Sequence, residues 1–394
     1  MSELYYPEET STGYYLTRIA EGLTNDFDVK VICGQPNYSA RGVIAPSHEF
    51  HMDVEIFRAR GTRLNKNVIA FRLINMATLG VSVFIKALRN FGKGGRALVV
   101  TTPPSMPFIV AVASLIRGVG YTLVIHDNYP EILIAVGKAK PGSTLVRTIE
   151  YLNRWLYKYA AKIIVVGRDM RELVERKTAG LDIPIETIPN WAEQSVEPRP
   201  RNENELLRSL GLIDKFVLLY AGNMGHPNDM ESIISAAEGL KDHPEIHFVF
   251  LGTGVKRPWL ERVVREQAID NVTILDPLPR SDQITFLNAC DVAIVTLVNK
   301  MWGVSMPSRT YNALAAGKPI LGVVDPGSEL ARVVEDDNVG WIVPPNDPDA
   351  LREVIIDIFN KGHELLEFSE RARTAALERY SLDLALERYR AALI

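Results

Sequence analysis

Trp302-Gly303-Val304-Ser305-Met306-Pro307-Ser308-Arg309-Thr310-Tyr311-Asn312-Ala313-Leu314-Ala315-Ala316-Gly317-Lys318-Pro319-Ile320-Leu321 reads as a loop, a short helix, a tight turn and a strand. Pro307 suits a first helical turn, where its missing N–H has no intrahelical partner. The helix is predicted to open at about Ser308. Ala313 to Ala316 are strong helix formers, and Gly317-Lys318-Pro319 stops them, because Gly accepts the left-handed closing conformation and Pro cannot continue the helix. Ile320 to Val324 is then uniformly apolar, as a buried parallel strand requires. Ser308 and Arg309 in the opening turn make a ready anion site, with phosphate the obvious anion. The same residues also suit an ordinary α/β unit with a surface arginine.

The pattern repeats outward. Strands are predicted at 29–33, 54–57, 97–101, 121–125 and 162–166, with helical stretches between most of them, and again at 216–220, 246–251, 272–275, 292–295, 320–324 and 341–343. That alternation predicts an α/β protein of two Rossmann-like, doubly wound parallel-sheet domains facing a cleft. The first is expected over 1–190 and the second over 191–380, with a C-terminal helix at 381–394 packing back toward the first. Pro198, Pro200 and polar neighbours supply linker composition after Asn190-Trp191. The first strand is expected to be short or truncated, since only Leu4, Tyr5 and Tyr6 precede Pro7. Met106 to Ile116 is read as a buried helix, too short to span a bilayer.

At 394 residues the chain is long enough for two cores, and 47% hydrophobic with 23% charged residues excludes a disordered or collagen-like chain. Cys33 and Cys290 stand far apart, which argues against a disulfide framework and suits a reducing cytoplasm. The net charge of −4 is unevenly placed: residues 1–190 hold 23 Lys and Arg against 17 Asp and Glu, and residues 191–394 hold 21 against 31. Arg58, Arg60, Arg63, Lys66, Arg72, Lys86, Arg89, Lys93 and Arg96 cluster in the basic half, which points to an anionic ligand or surface there. Nucleic acid is disfavoured because no reading module accompanies the basic stretch. A nicotinamide enzyme is disfavoured because no Gly-x-Gly-x-x-Gly follows an opening strand. Asp26-Phe27-Asp28 and Asp347-Pro348-Asp349 read as a turn and a helix cap, so no metal ligands and no cofactor are expected.

Tyr6-Pro7-Glu8 with Thr12-Gly13, Tyr220-Ala221-Gly222-Asn223-Met224-Gly225, Leu251-Gly252-Thr253-Gly254, Leu278-Pro279-Arg280-Ser281-Asp282, Pro307-Ser308-Arg309 through Gly317-Lys318-Pro319, and Gly327-Ser328-Glu329 occur in that order. Together they resemble the GT-B glycosyltransferases of family 4 over nearly the whole chain. The variants resemble most the bacterial polysaccharide-assembly branch of fucosamine and colanic-acid transferases. Two departures stand out. The family's Glu-x7-Glu pair falls on Val304 and Asn312, and the basic residues of its first donor loop are replaced by Asn223, His226 and Asn228. Asn312 can still hydrogen-bond a ribose hydroxyl, whereas the diphosphate charge must then be met by Arg309 and Lys300.

The resemblance implies a metal-independent, retaining transfer from a UDP- or GDP-sugar to a glycan or polyprenyl-diphosphate-linked acceptor. Donor contacts are then expected from Gly13, Asn223, Gly225, His226, Thr253, Gly254, Leu278, Lys300, Ser308, Arg309, Asn312 and Glu329. Glu329 fits equally as a first-turn glutamate on a helix dipole. His126, Asp127 and Glu131 follow a first-domain strand and join Arg309 as candidate catalytic residues. In a retaining reaction Asp127 or Glu131 would position the acceptor and His126 would stabilise the donor sugar; in an inverting one Asp127 would be the general base. A non-catalytic sugar-nucleotide-binding protein and a nucleotide-sugar epimerase or hydrolase are the alternatives. A cytoplasmic location is expected, with peripheral contact to an anionic membrane through the apolar pattern between Asn67 and Lys86, flanked by Arg63, Lys66, Arg72, Lys86 and Arg89.

Overall fold

The computed structural model describes residues 1–36, 44–62, 64 and 68–394. The chain folds into two compact units: Met1–Tyr129 with Gly142–Pro189 and Ala385–Ile394, and Pro130–Pro141 with Asn190–Leu384. The division at Pro189/Asn190 falls beside the linker composition. Pro130–Pro141, expected in the first domain, belongs to the second unit.

The first unit holds strands β1 (Lys30–Cys33), β2 (His48–His51), β3 (Val54–Arg58), β4 (Arg96–Val100), β5 (Gly120–Ile125), β6 (Lys162–Val165) and β7 (Ile185–Thr187). Its helices are α1 (Ser11–Gly22), α2 (Ile69–Asn90), α3 (Met106–Arg117), α5 (Thr144–Lys158) and α6 (Arg168–Lys177), while α4 (Glu131–Ala135) lies in the Pro130–Pro141 segment. The strands pair in the orders β1-β3-β2 and β4-β5-β6-β7. Met1–Glu3 bridges these groups: Ser2 N donates to Ile32 O at 3.3 Å and Met1 N to Leu98 O at 2.6 Å. That three-residue run stands where a full opening strand was in question.

β2 is antiparallel to β3, a departure from the all-parallel expectation. The turn between them runs through Met52 and Asp53, both at positive φ, which is the backbone of a tight hairpin turn. Met-Asp lacks the Gly or Asn that most often marks such a turn, so the hairpin had only a weak local signature. The α3 helix forms as expected but is not wholly buried. Val112, Leu115 and Ile116 are exposed, Ile116 to 61%, because only one side of α3 meets β4, β5 and α2.

The second unit holds β8 (Phe216–Ala221), β9 (Ile246–Leu251), β10 (Val272–Leu275), β11 (Val292–Thr296), β12 (Ile320–Val323) and β13 (Gly340–Val343), with α7 (Glu205–Leu210), α8 (Met230–Gly239), α9 (Arg257–Glu266), α10 (Gln283–Leu287), α11 (Arg309–Ala315), α12 (Glu329–Asp336), α13 (Pro348–Asn360) and α14 (Leu365–Glu378). The final helix α15 (Leu382–Leu393) contributes Ala385 onward to the first unit, where Arg390 pairs with Asp26 at 2.6 Å. The second sheet is parallel in the order β10-β9-β8-β11-β12-β13. Tyr220, Phe248, Phe250, Ile294, Leu321 and Val323 carry its core against α8 and α13. Winding reverses between β8 and β11, so their carboxyl ends form the topological switch point where ligands of open α/β sheets bind.

Close backbone approach sets the glycines at those strand ends. Gly252 has φ +145°, and a Cβ there would lie 2.0 Å from Gly222 O; a Cβ on Gly254 would lie 2.4 Å from Met224 O. The carbonyls cannot retreat, since Gly222 N donates to Leu251 O and Met224 N to Thr253 O at 2.7 Å. Gly252→Ala is therefore expected to destabilise the second unit by about 2–4 kcal/mol. Gly92→Ala, with nothing within 4 Å, serves as the control. Comparable melting temperatures for the two variants would refute this account of the loop packing.

Candidate functional site

In the second unit, β8 ends at Tyr220-Ala221 and hands the chain to a loop, Gly222–Asn228, ahead of α8. Asp229 caps that helix. Its carboxylate accepts from Ser232 N at 3.0 Å, from Ser232 Oγ at 2.6 Å and from Asn346 N at 2.9 Å, and the residue is buried. The loop is braced internally: Asn223 O accepts from Tyr220 Oη at 2.7 Å and from Asn228 Nδ2 at 2.9 Å. Lys256 adds a tie, donating to Asn228 O at 2.8 Å and to Glu231 at 2.7 Å.

Arg309 lies against this loop. Its Cζ sits 4.5 Å from the centroid of the buried Tyr220 ring, a cation–π contact worth about 0.5–2 kcal/mol. Its Nη2 donates to Asn228 Oδ1 at 3.0 Å. A Cβ on residue 222 would come within 3.2 Å of the guanidinium carbon, so glycine there leaves room for the stacked head. Among the described residues Nη1 is buried without a hydrogen-bond partner, and so is Oδ1 of Asn312, three residues along the same helix. Residues at i and i+3 share a helix face. That face therefore presents a charged donor and a neutral acceptor, each desolvated and unused, which is costly without a ligand to complete them.

The loop after β11 is fixed from the other side. Asp325 Oδ2, beyond β12, accepts from Met301 N at 2.8 Å and Trp302 N at 3.2 Å, and Val298 N donates to Pro227 O at 2.8 Å. α11 begins one residue later than expected. Ser308 is its N-cap without a side-chain capping bond, and Pro307 precedes the helix rather than opening it. With seven residues, α11 develops little macrodipole, so the guanidinium carries the anion-attracting charge. Lys300 is exposed at positive φ, Asn223, His226, Thr253 and Leu278 are exposed, and Gly225 is buried in the loop. Glu329 is buried in the first turn of α12 behind its Ser328 cap.

In the first unit, Thr101 Oγ1 beyond β4 accepts from His126 N at 3.2 Å and Asp127 N at 3.5 Å. Tyr129 O accepts from Asn153 Nδ2 and Lys177 Nζ, each at 2.7 Å. The loop is thus pinned on three sides. Burial pushes the Asp127 carboxyl up to about 6 and the His126 imidazole down to about 4. At neutral pH His126 is then an uncharged donor–acceptor and Asp127 an anion close to its titration. Glu131 opens the separate α4 helix. Gly13 N is engaged by Thr10 Oγ1 at 3.3 Å, and a Cβ on Gly13 would lie 2.7 Å from Glu8 O; the residue's smallness thus serves the packing of its own loop. Among the described residues no three His, Cys, Asp or Glu side chains are grouped to hold a metal.

Sequence reasoning identified Arg309, Asn312, His126 and Asp127 but missed their supports. Tyr220, Lys256, Asp325 and Thr101 act across strands, and spacing along the chain carries no record of that. The signal available was weaker: an aromatic at the end of a strand and an Asp directly after one.

Two Rossmann-like units with a ligand cradle at the second unit's switch point define the GT-B class of glycosyltransferase. The chain belongs to the glycosyltransferases of that fold: residues 203–375 match glycosyl transferases group 1 and residues 11–191 match the glycosyl transferase 4-like domain. It is 30% identical over 393 residues to WbjE of Pseudomonas aeruginosa, described as a probable glycosyltransferase, covering 99% of this chain and 96% of that one. It is 25% identical over 363 residues to WcaI of Escherichia coli K12, named for a glycosyl transferase of colanic acid biosynthesis, covering 88% of each. Sucrose-phosphate synthase of Thermosynechococcus elongatus superposes with a TM-score of 0.77 at 14% identity, over 97% of this chain and 92% of that one. Anabaena HepE in complex with UDP does so at 0.73 and 14%, over 100% and 99%.

The Asp127 shift makes a signed expectation. A carboxyl whose folded pKa is raised binds its proton more tightly when folded, so its contribution is fully present below about 4 and lost as pH rises through about 6. Asp127→Asn should accordingly raise the melting temperature, relative to the native chain, more at pH 7.5 than at pH 5. An equal effect at both pH values would contradict the burial of the ionised carboxylate.

Proposed function

We propose that this glycosyltransferase moves a sugar from a UDP- or GDP-sugar to a glycan or polyprenyl-diphosphate-linked acceptor in polysaccharide or cell-envelope biosynthesis, with retention and without a required metal. One observation carries the donor reading: Arg309 Nη1 and Asn312 Oδ1 are buried on one helix face and have no partner among the described residues. A nucleoside diphosphate offers what both lack, an oxyanion for the guanidinium and a ribose hydroxyl for the amide oxygen. As the sugar departs, charge grows on the β-phosphate, and a cation fixed in advance by Tyr220 and Asn228 stabilises it without reorganising. Arg309 thereby takes the role that a divalent ion would otherwise fill. The departing phosphate oxygen accepts the acceptor's proton, and in the first unit Asp127 with neutral His126 orients the acceptor. The name of WcaI, a glycosyl transferase of colanic acid biosynthesis, supports a polysaccharide setting, and the UDP complex of HepE supports a nucleotide sugar.

The acceptor side favours a lipid-linked substrate at the cytoplasmic face of a membrane. Phe71, Ile74, Val81 and Ile85 of α2 are exposed, Val81 to 60%, and fall on one helix face together with Arg89. On α3, Val112, Leu115 and Ile116 extend the exposed apolar area. Apolar side chains beside basic ones are the composition of an interfacial surface. Arg63 and Lys66, expected to flank it, lie outside the described residues. Among the described residues no helix is long and apolar enough to cross a membrane, so attachment would be peripheral.

The test is a panel of UDP-, GDP- and ADP-sugars with a polyprenyl-diphosphate-sugar acceptor in anionic or zwitterionic vesicles. Transfer from a UDP- or GDP-sugar, faster on anionic vesicles and slowed by salt, is expected. Nucleotide release that is equal without acceptor would mark a hydrolase, and nucleotide-sugar binding without turnover a binding protein. Equal rates on both vesicle types would remove the membrane surface.

A further inference from the structure

A cavity of about 110 Å³ lies wholly within the first unit, between α3 and α5. Leu123 and Ile125 of β5 line it with Phe108 and Leu152, and Thr101, Asp127, Tyr129, Asn153 and Tyr157 bring polar groups to a lining that is otherwise apolar. An apolar cavity of about 150 Å³ accepts benzene, and at about 30 Å³ per water-sized group this one holds roughly four non-hydrogen atoms.

The polar groups are specific in what they lack. The Thr101 hydroxyl accepts two backbone N–H groups, from His126 and Asp127, and its own hydrogen has no acceptor among the described residues. The Asp127 carboxylate makes no hydrogen bond or ion pair among the described residues. A small occupant would need one N–H or O–H for the carboxylate, one oxygen for the hydroxyl, and an apolar end for Leu123, Ile125 and Phe108. An acetamido group has four non-hydrogen atoms and supplies all three: its N–H, its carbonyl oxygen and its methyl. A hydroxymethyl or hydroxyl substituent lacks the methyl and would put polar surface against the floor, at a cost.

We infer that this cavity is the subsite for an N-acetylamino substituent on the acceptor sugar. The inference rests on the proposed role of the first unit in holding the acceptor. It makes Asp127 and Thr101 specificity determinants, which read the amide while the adjoining loop presents the sugar ring.

The experiment uses the full chain with UDP present and measures binding of the methyl glycosides of N-acetylglucosamine, N-acetylgalactosamine and N-acetylfucosamine beside their non-acetylated parents, glucose, galactose and fucose. At least one acetylated glycoside is expected to bind tenfold or more tightly than its parent, with the strongest saturation transfer in NMR at its acetyl methyl protons. Leu152→Trp, which fills the cavity from a residue 42% exposed, should abolish that preference, and Ile149→Trp is a second filler should the first unfold. UDP affinity, read in the same samples, should be unchanged in either variant. No preference for any acetylated glycoside, or a preference that survives a folded filler variant, overturns the inference. Failure of the native chain to bind UDP would instead count against the donor reading.

Discussion

The stack of Arg309 on Tyr220 is the contact around which the second unit is arranged. A guanidinium left beside a parallel sheet without its counter-anion is held by three things: the ring face at 4.5 Å, the Asn228 amide oxygen at 3.0 Å and the space that Gly222 leaves. Each comes from the β8 strand or the loop that follows it, whereas Arg309 comes from α11, beyond β11. The cation therefore spans the point where the winding reverses, and the sheet order places it there. Asp229 and Asp325 extend the same logic: Asp229 caps its own helix and also accepts from Asn346 N, and Asp325 accepts from Met301 N and Trp302 N.

This arrangement explains how the chain manages without the charges that its family usually carries at these positions. Val304, where a glutamate is usual, is buried and packs as an apolar residue. Asn312 keeps an acceptor at the second position and removes the charge. On the proposed reading, two fewer carboxylates would also reduce the repulsion that a bound diphosphate meets beside Arg309. Lys256 brings a further positive charge to the Asn228 backbone, although Glu231 at 2.7 Å balances it.

Much of the fold was legible because the four inner strands of the second unit, β8, β9, β11 and β12, are largely buried on both faces and read as continuous apolar runs. The β2 strand, His48–His51, escaped because it is an antiparallel edge strand of alternating half-exposed residues joined by a turn without Gly or Asn. The α3 helix was read as buried from its composition, yet composition cannot say which side lacks a neighbour. At the site, Arg309 and Asn312, whose buried polar atoms lack partners among the described residues, lie in the segment that local motifs singled out. The cavity behind Asp127 was invisible, because it arises where α3 and α5 fail to fill the space over β5, and no local pattern encodes a packing gap.

The central claim, that Arg309 is held in advance for a diphosphate, is tested most directly by calorimetric affinities of the native chain, Arg309→Lys and Arg309→Ala for UDP and for uridine. A charge-assisted hydrogen bond contributes about 1.5–3 kcal/mol, so Arg309→Ala should weaken UDP binding by roughly 10- to 100-fold and leave uridine binding nearly unchanged. Arg309→Lys should recover only part of the loss, because a point charge cannot both stack flat on Tyr220 and reach Asn228 and the phosphate. Equal losses for UDP and uridine, or no loss for either, would contradict the account.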